Sequence, residues 1–302
     1  MRTDQFLSEQ KREMAALFLR VGLGLVFLIG GISKLSLLLS TESSIGMVSN
    51  YMGSTGYINE LFQDYLFSNG FISPWGFLTA LSTFELFSGL AFLSGFLIRP
   101  LSIIYAFLLW SFVVALPVET VPNVDILVKT YTSPAIMVQI RDISLSGMMF
   151  VLFMLGSGAK SLDNRLFAQA KHPINWNQQG LLLRLSIAVS LLVAGFFGHY
   201  AKVPNFATMQ IILAVIGLVV VFSEGLTLKV AGASIVAVML WYIAHKLNAD
   251  KNIIGNLNGF KREFAFSAAA IILIYLGGGE SFTLKDLFRR SKSYLLNQTQ
   301  PA

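Results

Sequence analysis

FELFSGLAF, residues 84–92, decides how the chain is read. It lies inside an apolar run from Pro74 to Phe96. A helix needs about 20 apolar residues to cross a bilayer, so this run is long enough. One ionisable residue, Glu85, sits near its middle. Similar runs recur along the 302 residues, which are 55% hydrophobic and only 13% charged. A soluble domain carries roughly 25% charged residues. Barrel strands alternate apolar and polar residues, and these runs do not. The fold class is therefore all-α, a polytopic membrane protein.

Working outward, the sequence predicts eight transmembrane helices: Met14–Lys34, Pro74–Phe96, Pro100–Leu116, Arg141–Gly158, Leu181–His199, Phe206–Phe222, Leu226–Lys246 and Arg262–Gly277. Proline and glycine punctuate several ends, among them Pro74, Pro100, Pro117 and Pro204. The first run follows Lys11-Arg12-Glu13 and is too long for the core of a cleavable signal peptide. Trp75, Trp176 and Trp241 lie near helix ends and read as interface anchors.

Cysteine is absent, which removes thiolate-bound metal and covalent c-type haem from this chain. The net charge of +6 fits cytoplasmic loops and anionic lipid. No nucleic-acid motif and no Walker, Rossmann or HExxH pattern is present. With the N-terminus inside, 14 of the 22 basic residues fall on the cytoplasmic side. Leu35 to Ser73, the first outer segment, has none. Both termini are expected in the cytoplasm, although Lys246 to Arg262 runs against the bias. The outer segments Thr41 to Ser73 and Val118 to Ile140 read either as ordinary connections or as lids.

The chain also repeats itself. RDISLSGMMFVLFMLGSG (141–158) lies on REFAFSAAAIILIYLGGG (262–279) without a gap, and FLRVGLGLVFLIGG (18–31) on LLRLSIAVSLLVAG (182–195). GFLIRPLS (95–102) resembles GLTLKVAG (225–232) in the same way. Two four-helix units follow, 1–172 and 173–302. An even number of helices per unit makes the copies parallel, related by an axis along the membrane normal. The second copy has diverged: Lys34 falls opposite Gly198, and Glu85 has no acidic counterpart in IILAVIGLVVVF.

An ionised side chain in hydrocarbon costs at least a few kcal/mol, so Glu85 needs a partner or a proton. Arg20 is the first candidate partner and Arg141 the second; Asp142 lies next to Arg141. Two readings stay open: a buried ion pair that fixes helix register, or a carboxylate that exchanges protons with a quinone. His199 and His245 fall at outer helix ends, where a histidine usually sits at the interface but can also contact a quinone.

These residues carry a resemblance. Arg20, Gly24, Gly31 and Lys34 in helix one, then Glu85, Arg99 and Arg141-Asp142 follow one family's order and spacing. Gly156-Ser157-Gly158 and Ser161-Leu162-Asp163 complete the pattern. In them the chain resembles the DoxX/DoxD family, over residues 14 to about 166. The resemblance implies a bacterial or archaeal cytoplasmic-membrane protein. DoxD-type members are described as the membrane subunit of thiosulfate:quinone oxidoreductase, and others as partners of redox or detoxification systems. It therefore implies partner subunits, membrane lipid and quinone, with Glu85, Arg20, Arg141 and Asp142 as catalytic candidates. Lys34, Arg99, His199 and His245 are then the candidate quinone contacts. The expected function is a membrane subunit of a quinone-linked oxidoreductase. A non-catalytic scaffold is the alternative, and a small-solute transporter a third.

Overall fold

The computed structural model describes residues 6–52, 62–115, 135–167, 173–197 and 209–298. Among these residues the protein is helical, with one isolated bridge between Phe6 and Asn175. The helices are α1 (Glu9–Leu38), α2 (Thr41–Met52), α3 (Pro74–Ser94), α4 (Ile98–Ala115), α5 (Ala135–Leu155) and the short α6 (Leu162–Leu166). They continue with α7 (Trp176–Phe197), α8 (Gln210–Phe222), α9 (Gly225–Lys246), α10 (Ile253–Leu276) and α11 (Leu284–Gln298). A π-helical turn, Phe62–Phe67, precedes α3.

Each predicted helix overlaps a helix of the structure, but several ends are displaced: α1, α5 and α7 begin at Glu9, Ala135 and Trp176, before the expected Met14, Arg141 and Leu181, α8 begins at Gln210, after the expected Phe206, and two further ends differ for a physical reason. The sequence reading ends helix one at Lys34. In the structure Lys34 turns onto an internal partner, and α1 continues to Leu38. Likewise α10 begins at Ile253, not Arg262. The Asn252 side chain caps it by accepting the Gly255 N–H, and a kink at Phe260 (φ −133, ψ 23) carries it past the charges. Lys261, Arg262 and Glu263 thus lie within a helix.

Among the described residues, four helices are long and apolar enough to cross a membrane: Glu9–Leu38, Pro74–Ser94, Trp176–Phe196 and Gly225–Lys246. Ile98–Ser111 and Gln210–Phe222 are shorter apolar helices. The remaining two, α5 and α10, carry buried charges. This is a membrane protein with an all-helical fold.

Two helices organise the core. α1 packs on α3, α10 and α5, while α7 packs on α8, α5 and α10. Outside them, α4 pairs with α5 and α9 with α10. The core residues run continuously through all these contacts, including Leu19, Leu23, Leu152, Leu191 and Leu273. At one end α2 folds back over α1 and α3, where Leu38, Met47 and Leu78 form a small separate cluster. The Trp75 indole closes this end by donating to the Leu38 carbonyl (2.9 Å).

At the other end α11 carries Lys285, Arg289, Arg290 and Lys292 beside exposed Leu284, Leu287 and Phe288. That mixture suits the membrane interface. Glu224, in the α8–α9 connection, accepts from Lys285 Nζ and Thr283 Oγ1, both at 2.9 Å. Lys285 chiefly, with Thr283, holds the Glu224 carboxyl below its usual range. Burial pushes Asp286 up, but donation from Arg289, Arg290 and the Phe282 N–H outweighs it, and the carboxyl is lowered. Groups lowered on folding contribute stability above their unfolded pKa and lose it as pH falls through the folded one. Docking of α11 is therefore expected to persist at neutral pH and to loosen below about pH 4, the ordinary carboxylate range. Amide hydrogen exchange across 284–298 between neutral and acid pH checks this. Equal protection throughout would refute it.

Candidate functional site

Glycine sets the register of α1 against α3. A Cβ at Gly31 would come within 2.5 Å of the Leu86 amide nitrogen, and one at Gly24 within 3.0 Å of Phe92 Cβ. Between these points Gly89 meets the Leu28 backbone just as closely. The helices run antiparallel with their backbones in contact, which only glycine permits. This register brings Glu85 beside Lys34. Lys34 Nζ donates to Glu85 Oε1 at 2.6 Å, with the Glu85 side chain 5% exposed.

Neither partner expected from the sequence holds Glu85. Arg20 lies roughly 20 Å further down α1 at about 1.5 Å per residue, beyond reach. Glu85 itself lies near the α2 end of the bundle, because its partner is one turn from the end of α1.

A second lysine joins them from α10. A Cβ at Gly30 would fall 2.8 Å from Lys261 Nζ and 3.3 Å from Glu85 Oε2, so the missing side chain makes room for the ammonium next to the carboxylate. The charged neighbours of Lys261 are Lys34, Arg262, Glu85 and Asp142.

Beyond Lys261, two ion pairs cross between α5 and α10. Arg262 Nη2 donates to Asp142 Oδ1 at 3.3 Å, and Arg141 Nη1 lies 3.7 Å from Glu263 Oε1. Each arginine thus pairs with the acid next to the other arginine. Glu263 is fully buried, and neither of its oxygens has a hydrogen-bond partner. Lys34, Glu85, Arg141, Asp142, Lys261, Arg262 and Glu263 therefore gather at one end of the bundle, with Lys246 of α9 near Glu263 and Arg141. Together they offer a carboxylate that can carry a proton and cations that can donate to a ligand oxygen.

The other expected residues lie elsewhere. Arg20 is 2% exposed at the opposite end, where Nη2 donates to the carbonyls of Ala159 (2.9 Å) and Lys160 (3.3 Å). Its guanidinium occupies the space that a side chain on Gly95 would fill, at the C-cap of α3. Asp163 sits nearby and caps α4, accepting from the N–H groups of Leu97 (2.7 Å) and Ile98 (3.0 Å). Arg99, in the first turn of α4, belongs to that end too. His245 lies in the last turn of α9, exposed, with its ring tilted against Trp241 at 4.0 Å. His199 lies outside the described residues, as does most of the segment from Val118 to Ile140.

Sequence reasoning missed Lys261, Arg262 and Glu263 as site residues. The signal for two of them was present, since Arg262-Glu263 aligns with Arg141-Asp142. Lys261 had no such signal, because its aligned position is Ile140.

Contacts recur at aligned positions. Gly31 stands to Leu86 as Gly195 stands to Ala214, and Gly89 to Leu28 as Gly217 to Leu192. Arg184 donates to the Ser281 carbonyl as Arg20 does to that of Lys160. Gly22 against Ala268 matches Ser186 against Gly147.

In comparison with known families, the DoxX family model matches residues 15–116 of the chain. The match includes Arg20, Gly30, Lys34, Glu85 and Arg99, and ends before Arg141. No curated protein and no solved structure matches the chain significantly.

Proposed function

We propose that this DoxX domain, with the helices packed around it, forms the membrane subunit of a quinone-linked oxidoreductase, with sulfur compounds as the electron-donor class suggested by the DoxD resemblance. Partner subunits supply the redox centre, and the charged end of the bundle handles the quinone head group and its protons. The observation that carries this reading is the Lys34–Glu85 pair, 2.6 Å long, with the Glu85 side chain 5% and the Lys34 side chain 20% exposed. Quinone reduction consumes two protons, so a site for it needs a buried group that can deliver and regain one. Glu85 supplies that group, and Lys34 a donor to the quinone oxygen. Arg141 and Asp142 serve the site through their pairs with Glu263 and Arg262. Arg20 and Arg99 are assigned to helix anchoring.

The same proposal has eight membrane crossings in two parallel four-helix units, supported by the contacts that recur at aligned positions. Both termini are placed in the cytoplasm of a bacterium or archaeon. Lys34, Arg141, Lys261 and Arg262 argued against that orientation as residues of the outer side, but Lys34, Arg141 and Arg262 are internal ion-pairing groups and Lys261 lies beside Glu85, and leaving them out sharpens the bias.

Glu85→Gln tests the chemistry. The amide keeps the size and a hydrogen bond but cannot carry the proton. Quinone reduction by the purified native complex is expected to collapse while the mutant still assembles. Near-normal turnover in an assembled mutant complex would remove Glu85 from the mechanism and favour a scaffold.

A further inference from the structure

We propose that α11 is a lipid-binding helix: it lies along the membrane surface with its apolar face in the bilayer and its bordering cations on phospholipid phosphates. Glu224 sets its level. That residue immediately precedes α9, and Gly225–Lys246 is one of the helices long and apolar enough to span. The start of such a span marks the edge of the hydrocarbon, where head groups begin. Glu224 accepts from Lys285 and Thr283, both at 2.9 Å, so the first turn of α11 is held at that edge. The exposed apolar side of the span begins at the same level, with Leu226 and Val230.

The two sides of α11 are unlike. At about 100° per residue, Leu284, Leu287, Phe288 and Ser291 share one face. All four are exposed, Phe288 by 74%. Among the described residues, no side chain of α11 belongs to either hydrophobic core. The opposite side is the one turned onto the protein. There Asp286 is 6% exposed and accepts from the Phe282 N–H at 3.2 Å. Its own N–H donates to the buried Thr283 hydroxyl, also at 3.2 Å. A helix held through its polar side, with leucine and phenylalanine outermost, needs an apolar medium on its far side. The bilayer edge at Glu224 supplies one. On the same wheel Lys285 and Lys292 border one edge of the apolar face and Arg290 the other. Lys285 pairs with Glu224, Arg290 with Asp286, and Arg289 with Asp286 and Glu280. Even so, the Lys285, Arg289 and Arg290 side chains stay 76%, 49% and 62% exposed. Ion pairs so exposed are weak, and these heads have further N–H groups for a phosphate oxygen. Cations bordering an apolar face match phosphates lying above acyl chains.

The chain has no cysteine, so a single one can carry a nitroxide label. Ser291→Cys puts the label on the apolar face of α11. Lys251→Cys, in the exposed turn before α10, is the water-facing reference. The full-length protein is placed in nanodiscs of phosphatidylcholine, or of equal parts phosphatidylcholine and phosphatidylglycerol. Collisions of the label with oxygen, which concentrates in lipid, and with a water-soluble nickel chelate are then measured. The label at position 291 is expected to meet oxygen more often than nickel, and the label at 251 the reverse. Adding Phe288→Ser is expected to move the 291 label toward water, and Phe288→Leu to leave it in lipid. Phe288 is exposed and outside both cores, so neither change touches the bundle. Lys292→Gln is expected to lower the ratio of lipid-held to water-exposed label about fivefold in the phosphatidylglycerol discs, the contribution of one cation near an anionic surface. In phosphatidylcholine alone it is expected to change little. A 291 label as wet as the 251 label in both lipids would overturn the proposal and leave this face to a protein partner. No response to Phe288→Ser would overturn the apolar contact, and none to Lys292→Gln the phosphate contact. The measurement uses neither quinone nor partner subunits, so it stands or falls apart from the proposed reaction.

Discussion

Glu263→Lys is expected to prevent the chain from accumulating as a folded membrane protein. Glu263 is 0% exposed, and its carboxylate faces Arg141 at 3.7 Å with Arg262 as its chain neighbour. Lysine there would replace the carboxylate that faces Arg141 and Arg262 with another buried cation. Breaking a buried ion pair typically costs about 3–5 kcal/mol, and reversing one of its charges costs more. The loss falls where α5 meets α10, one of the places, with α1 on α10 and α5 on α7, where the first half of the chain meets the second. Adding Arg141→Glu restores opposite charges across the same gap and is expected to recover a substantial part of the folded yield. Yield and unfolding midpoint of the purified single and double mutants, in one detergent, check both. A Glu263→Lys protein that folds like wild type, or a double mutant no better than the single, would show that the crossed pairs do not join the halves.

Arg184→Met carries the second large effect. Arg184 is fully buried and reaches three carbonyls: Gly278 through Nε at 3.0 Å, Val221 through Nη1 at 2.5 Å and Ser281 through Nη2. One guanidinium thus ties α7 to the end of α8 and to the turn after α10. Hydrogen bonds from a charged donor contribute about 1.5–3 kcal/mol each in soluble proteins, and methionine removes all three. Severe destabilisation is expected. Arg184→Lys should fall between, because a single ammonium lacks the planar fork that spans separated acceptors. Arg20→Met should cost less, since Arg20 reaches its two carbonyls through one nitrogen. Thermal unfolding of the three variants gives the order, and an Arg184→Met protein as stable as wild type would contradict it. Arg20→Met also decides a point of chemistry. A stable Arg20→Met protein without turnover would return Arg20 to the mechanism.

The helices were legible because hydrocarbon-length apolar runs have few other uses, and Glu85 stood out because a carboxylate in such a run is costly. Its partner was not legible. The expectation reached for Arg20 on length and charge alone, whereas the pairing depends on which residues face each other across α1 and α3. That register rests on Gly24, Gly31 and Gly89, and close backbone contact cannot be read from glycines until the two helices are known to meet. Lys261 was hidden for a related reason. KRE at positions 261–263 looks like the polar edge of a helix. Only the earlier start at Ile253 and the kink at Phe260 show that the charges point into the bundle.

On the tandem repeat proposed above, the crossed pairs have a consequence for ancestry. Arg141 with Glu263 and Arg262 with Asp142 form the reciprocal pattern of a two-fold interface, in which each partner offers the other the same patch. Two identical chains meeting through such a face must display every internal feature twice, for better or worse. A single polypeptide holding both sides escapes that obligation. One face can keep lysine and glutamate while the other drifts to glycine and leucine, and natural selection can then act on each face alone.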